Sequence, residues 1–164
     1  SHRTWSQTWR APLRRALDWL RDNMAPGFEG KAAKHFRDPW AARDDHISVI
    51  LDRSPETLSA FFGRHAREDV SPEKRTEALE LLELQRHAML MYTSCGWFFD
   101  DVSELTSVQV MRSACRAMEL CRELAGQDLE PGFIDIVYAA QSNIPEQGTG
   151  ADVYRRLARP KETK

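Results

Sequence analysis

The sequence predicts an all-α fold, a compact helical bundle with two long central helices and several shorter ones around them. Three observations carry that expectation. Within 35 residues, Asp38-Pro39, Ser54-Pro55 and Ser71-Pro72 each set a capping side chain before a proline at the first helical position. The stretch "SVQVMRSACRAMELCREL" is apolar over more than half of a helical circumference, as a helix packed on several sides must be. No segment shows the two-residue alternation and turn dipeptides of a sheet; "IDIVYA" comes nearest and is too short to require one.

In chain order, "APLRRALDWL" opens a helix with Pro12 at a first helical position and Leu13, Ala16, Leu17 and Leu20 at helical spacing. Asp38 then caps a helix carrying Trp40, Ile47 and Ile50, and Ser54 caps "PETLSAFFGRHA". Ser71 starts the longest of the three, with Leu81, Leu84, Ala88 and Met91 on one stripe. "TSVQ" at 106–109 reads as a capping box for the next helix. That helix has two apolar stripes, one of Val108, Met111, Cys115 and Met118, the other of Val110, Ala114, Ala117, Cys121 and Leu124. It is the expected centre of the fold, and Gly126 is its natural stop. A short helix is expected from Pro131, and Gly148 and Gly150 mark a loop before "ADVYRRLARP".

The 164 residues suit one helical domain with a single core. An apolar fraction of 41% and a charged fraction of 29% are those of an ordinary globular protein. A formal charge of −2 argues against nucleic acid or anionic lipid as partner. No apolar run approaches the roughly 18 residues of a membrane helix, and "SHRTWSQTWR" is no signal peptide. That opening has no Met and reads as a piece of a longer chain. Cys95, Cys115 and Cys121 have no zinc, redox or disulfide spacing, so reduced buried thiols in a cytoplasmic protein are expected.

The search for chemistry returns little. No Glu-x-x-His pair suggests a di-iron bundle, and Glu83 with His87 reads as a solvated pair. His35, His46 and His65 lie near helix ends or among charges, where surface or capping roles are expected; no metal or cofactor is implied. Cys95 has no histidine close in sequence to act as base, and "EQGTGAD" lacks a preceding strand and the rest of a phosphate-loop motif. Asp44 with Asp45 and Asp100 with Asp101 are the paired carboxylates, and both read equally well as caps and solvated charge.

The remaining signal is "CGWFFDD", Cys95 to Asp101. Three of the chain's fifteen aromatic residues, Trp97, Phe98 and Phe99, stand together before two aspartates at a helix end. Two readings stay open. The rings plug the core beneath the turn, or they form a sugar-binding surface, with a ring against the C–H face of a pyranose and carboxylates accepting hydroxyl hydrogen bonds.

"YTSCGWFFDDVSELTSVQVMRSACRAMEL", with "WRAPLRRALDWLRD", "DPWAARDDHISVILDRSPE" and "SNIPEQGTG", resembles an uncharacterised helical domain family. That family follows the catalytic barrel in a subset of bacterial proteins of glycoside hydrolase family fifty-seven. The resemblance covers roughly residues 5 to 160. It implies the C-terminal helical part of an α-glucan-active or related enzyme whose catalytic glutamate and aspartate lie upstream, so no catalytic residue is expected here. It also implies that "SCGWFFDD" lines the substrate cleft, with Trp97 and Phe98 facing sugar and Asp100 or Asp101 binding hydroxyls; Phe99 is then expected to be the buried anchor of the turn. Better-known members read Ser-Asp-Trp where this chain reads Ser94-Cys95-Gly96-Trp97.

The expectation is therefore a non-catalytic accessory domain that completes a glycan cleft, its partners the parent's catalytic barrel and an α-glucan or related oligosaccharide. The alternative is a scaffolding module that packs on a barrel or partner without touching sugar. Such a module should carry a large exposed apolar patch.

Overall fold

The computed structural model describes residues 5–68, 70–93, 97 and 100–161. Seven α-helices succeed one another among them: α1 Arg10–Ala32, α2 Pro39–Leu51, α3 Pro55–His65, α4 Pro72–Leu90, α5 Leu105–Ala125, α6 Glu130–Val137 and α7 Gly150–Val153. A 3₁₀ turn at Pro145–Gln147 precedes α7, and a π turn at Tyr154–Ala158 comes after it. No strand forms among the described residues; two isolated antiparallel bridges, Phe36 to Ala66 and Gln141 to Thr149, are the only extended pairings there.

The three proline starts behave as the residue types require. Asp38 accepts from the backbone N–H groups of Trp40 and Ala41, Ser54 from Thr57 and Ser71 from Lys74, each supplying a partner that the first helical turn lacks. Gly126 ends α5 in the left-handed conformation at φ 66°, where a β-carbon would be strained. The capping box at 106–109 does not form. Helix α5 begins two residues earlier, at Leu105, with Glu104 in the cap position and no side-chain cap. Thr106 thus lies inside the first turn, and its buried hydroxyl has no hydrogen-bond partner among the described residues.

Helices α4 and α5 pack along each other, and α1 lies against α4, α5 and α6. A third long helix therefore joins the expected central pair: α1, at 23 residues, is longer than either. It begins at Arg10, two residues before Pro12, and continues through Pro26 and Gly27. Pro26 faces solvent while Met24, Phe28 and Ala32 are buried, so packing of the inner face outweighs the hydrogen bond that the proline forfeits. Both expected stripes of α5 are inside, from Val108 to Cys121, with only Leu124 half-exposed. Cys115 and Cys121 are buried free thiols, and burial pushes both above the ordinary thiol pKa.

Helices α2 and α3 pack together, and α2 also lies on α4. The Phe36, Phe61 and Phe62 rings interlock beneath this corner. Arg37 N–H donates to His65 O and Arg67 N–H to His35 O, joining the ends of α1 and α3. The surface roles expected of His35 and His46 do not hold: both are buried, Nε2 of His35 lying 3.6 Å from Glu77 and that of His46 3.8 Å from Glu83. Glu83 is half-buried, within ion-pair distance of His46, Arg53, Arg86 and His87, rather than one half of an isolated solvated pair. Nε2 of His65 lies 2.7 Å from Oδ2 of Asp45, and Arg64 donates to the same oxygen.

Candidate functional site

The candidate site is the connection between α4 and α5, together with the two chain segments that hold it. Past Leu90, Met91 is buried and Tyr92 half-buried, its hydroxyl donating to Asp18 at 2.7 Å. Burial, with that carboxylate beside it, pushes the Tyr92 phenol above its usual pKa range, so it remains a donor. Trp97 is half-buried. Its ring lies parallel to Trp9, with centroids 6.5 Å apart and planes 5° apart, and the Arg14 guanidinium carbon is 4.9 Å from its centroid. Trp9 is wholly buried and donates through Nε1 to Asp100 O at 3.3 Å. The aromatic pair is thus a buried ring from the N-terminal segment carrying a half-exposed ring from the turn.

The two aspartates have different environments. Asp100 is exposed, and its Oδ1 accepts from Gln7 Nε2 at 3.1 Å. Asp101 is fully buried. Its Oδ2 accepts from Ser103 N–H at 3.0 Å, Ser103 Oγ at 2.5 Å and Ser142 Oγ at 2.8 Å. Its Oδ1 accepts from Asn143 N–H at 2.6 Å and Asn143 Nδ2 at 3.2 Å. Burial alone would raise this carboxyl's pKa; the donors outweigh it and hold the group below the ordinary range. The expectation that Asp101 offers oxygens to a ligand is corrected on this point: both oxygens are enclosed and already accept hydrogen bonds.

Asn143 is the second fastener. Its Nδ2 also reaches Asp100 O and Ser6 O, each at 2.9 Å, while its Oδ1 accepts from Ser6 N–H at 2.7 Å. One asparagine therefore joins the N-terminal segment, the turn and the loop after α6. Sequence reasoning did not single out Ser6, Gln7, Trp9, Ser142 or Asn143 as part of the site. Their only signal was the adjacent polar pair Ser142-Asn143 ahead of a proline, a turn signature that says nothing about its distant partner.

Of the residues expected to face ligand, Trp97 and Asp100 share the surface end of this arrangement. Phe98, with Phe99 and Cys95, lies outside the described residues. Trp9 links Trp97 and Asp100, stacking on the partly open Trp97 ring and donating to the backbone carbonyl of Asp100. Among the described residues no three His, Cys, Asp or Glu side chains come together as a metal site.

A second surface stands apart from the turn. Ile47, Ile50, Met89 and Leu90 line a groove of about 590 Å³ between α2 and α4, over buried His46. Ile47 is 55% exposed, Met89 49% and the neighbouring Leu51 79%, an apolar patch that the fold leaves uncovered. No helix among the described residues is long and apolar enough to cross a membrane.

A family model described as "Domain of unknown function (DUF3536)" matches residues 5–164, essentially the whole chain. No curated protein and no solved structure gives a significant match.

Proposed function

The chain belongs to the DUF3536 family, and we propose that it is a non-catalytic helical accessory domain of a hydrolase or glucanotransferase like those of glycoside hydrolase family fifty-seven. In this reading Trp97, Phe98 and Asp100 complete the wall of a glycan cleft whose acid and base belong to the partner barrel. Asp101 does not touch sugar; it fixes the turn from below. The observation that carries the reading is the half-exposed Trp97 ring, braced by Trp9 and Arg14, with the exposed Asp100 carboxylate three residues on. A flat apolar face beside an acceptor of hydroxyl protons is what a pyranose requires.

The test is Trp97→Ala in the barrel-bearing parent protein, assayed on α-glucans alongside Asp100→Ala. A stacking ring is worth about 1 kcal/mol, so kcat/KM should fall roughly fivefold for the tryptophan change. Unchanged kcat/KM in both variants would defeat the reading.

The apolar patch of Ile47, Leu51 and Met89 favours a second reading, in which the chain docks on the barrel or another partner and touches no sugar. The two differ in what a pair of charges introduced at Ile47 and Met89 would do: under the second they abolish association while Trp97→Ala is silent.

A further inference from the structure

A third surface has a floor of Cys115, Leu157, Ala158 and Pro160 and a border of cations. Between α5 and the turn after α7 lies a groove of about 620 Å³. Arg112, Arg116, Arg156, Arg159 and Lys161 line it, with Glu119 as the acid among them. Glu130, which pairs with Arg159 at 2.9 Å, and Asp152, which Arg156 attracts, are nearby carboxylates, so among the described residues five cations stand near three anions. The chain as a whole is −2, and this groove runs against that balance with a surplus of positive charge.

The way the guanidiniums are held matters more than their number. Arg112 donates through Nε to the Leu157 carbonyl at 3.1 Å, and Arg156 is bonded to the carbonyl and side-chain oxygens of Gln147. These partners are neutral. They orient both planes, and no carboxylate lies in ion-pair distance of either among the described residues, although Arg156 is near enough to help hold the Asp152 carboxyl below its ordinary pKa. Arg116 is paired to Glu119 at 3.0 Å on the same helix face, one turn beyond Arg112. Fixed guanidinium forks with spare N–H groups match the oxygens of a phosphate in a way that a free lysine cannot.

We propose that this groove binds a small phosphorylated compound, with Arg112 and Arg156 as the phosphate-holding residues and Arg159 and Lys161 at the rim. Its volume suits a small molecule. The net negative charge of the rest of the chain disfavours a long polyanion, which would have to cross acidic surface on leaving the groove. The proposal is independent of the sugar reading of the α4–α5 turn, since no residue is shared.

The test is titration of the isotopically labelled 164-residue chain with pyrophosphate at constant ionic strength near 0.15 M, monitored by amide NMR shifts. Saturable shifts should centre on 112–116 and 154–161. Arg156→Gln and Lys161→Gln, which leave the Arg112–Leu157 anchor intact, should each weaken binding at least threefold. Arg112→Gln should weaken it about tenfold, provided its melting temperature shows the turn still in place. Parallel titrations with orthophosphate and a hexose monophosphate distinguish the source: tighter binding of the sugar phosphate supports a phosphorylated sugar, and tightest binding of pyrophosphate supports a diphosphate group. Shifts that do not saturate, that scale with ionic strength alone, or that survive in all three variants overturn the proposal.

Discussion

Replacing Asp101 by asparagine should destabilise the domain by about 3–5 kcal/mol. The carboxylate accepts five hydrogen bonds, from Ser103 N–H and Oγ, Ser142 Oγ, and Asn143 N–H and Nδ2, in a fully buried position. An asparagine has the same shape but one oxygen. If its NH₂ group takes the place of Oδ2, it meets the Ser103 N–H; if it takes the place of Oδ1, it meets the Asn143 N–H. A hydroxyl can rotate to accept, but a backbone N–H cannot, so either orientation leaves one buried donor facing another. That costs roughly 1–3 kcal/mol, and the remaining bonds together lose charge assistance worth about 2 kcal/mol. In a chain of this size the sum corresponds to a fall in Tm of roughly 6–20 °C. Urea unfolding of both proteins at pH 7 measures it directly. The linkage has a definite sign. The folded-state pKa of Asp101 lies below the ordinary carboxylate value of about 3.9, so its contribution is complete above that value and is lost as pH falls through the folded pKa. The variant should lack that part of the acid limb. A loss under about 1 kcal/mol, or an acid limb identical in both proteins, would refute the account of Asp101 as the fastener of the turn.

Trp97→Ala should cost the domain about 1–2 kcal/mol, less than the roughly 3–5 kcal/mol expected of the wholly buried Trp9, because only part of the Trp97 ring is inside; paired melts decide it. Gly132→Ala should destabilise by about 1–3 kcal/mol, since an added β-carbon would meet Trp19 Cζ2 at 2.6 Å and Cη2 closer still, so the ring or α6 must shift; a neutral effect would show that the Trp19 ring swings aside freely. Burial lowers the pKa of His46 and of His87, against the attraction of Glu83, so both fold in the neutral form. Stability should therefore be full above about pH 6.5 and decline as pH falls below it, with a shallower slope in His46→Gln; Tm against pH tests this. The purified chain should release no reducing sugar from α-glucans, and release that disappears in Asp100→Ala would contradict a non-catalytic role.

The parts of the fold legible in the sequence are those whose causes are local. Asp38, Ser54 and Ser71 each cap a helix through N–H groups no more than three residues away, and Gly126 ends α5 through its own backbone freedom. The stripes of α5 were visible because a helix packed on two sides repeats its apolar residues along one stretch of chain. Where causes were distant, reading along the chain failed. Helix α1 runs on through Pro26 and Gly27 because Met24, Phe28 and Ala32 pack inward. His46 looks exposed until α4 brings Glu83 beside it. The capping box expected at Thr106 does not form, because the chain turns into the helix two residues earlier, after Asp101 and Ser103. At the candidate site, composition singled out Trp97 and the aspartates. Nothing local could separate Asp100 from Asp101, since the donors that bury the second come from Ser142 and Asn143.

Asn143 reaches Ser6 across 137 residues and Asp101 across 42. Closing such long loops is slow relative to growing helices, because the chain entropy must be spent before either contact forms. The Asn143 contacts to Ser6 and Asp101 should therefore form late, after two segments remote from each other in the chain have come together. Trimming residues 5–9, or everything beyond 140, would leave α2 to α5 able to pair while the turn lost its clasp. Amide exchange at Asn143 should accordingly report arrival of those segments rather than helix formation. The site's shape is a readout of long-range closure, set only when strands of chain made far apart in time have met.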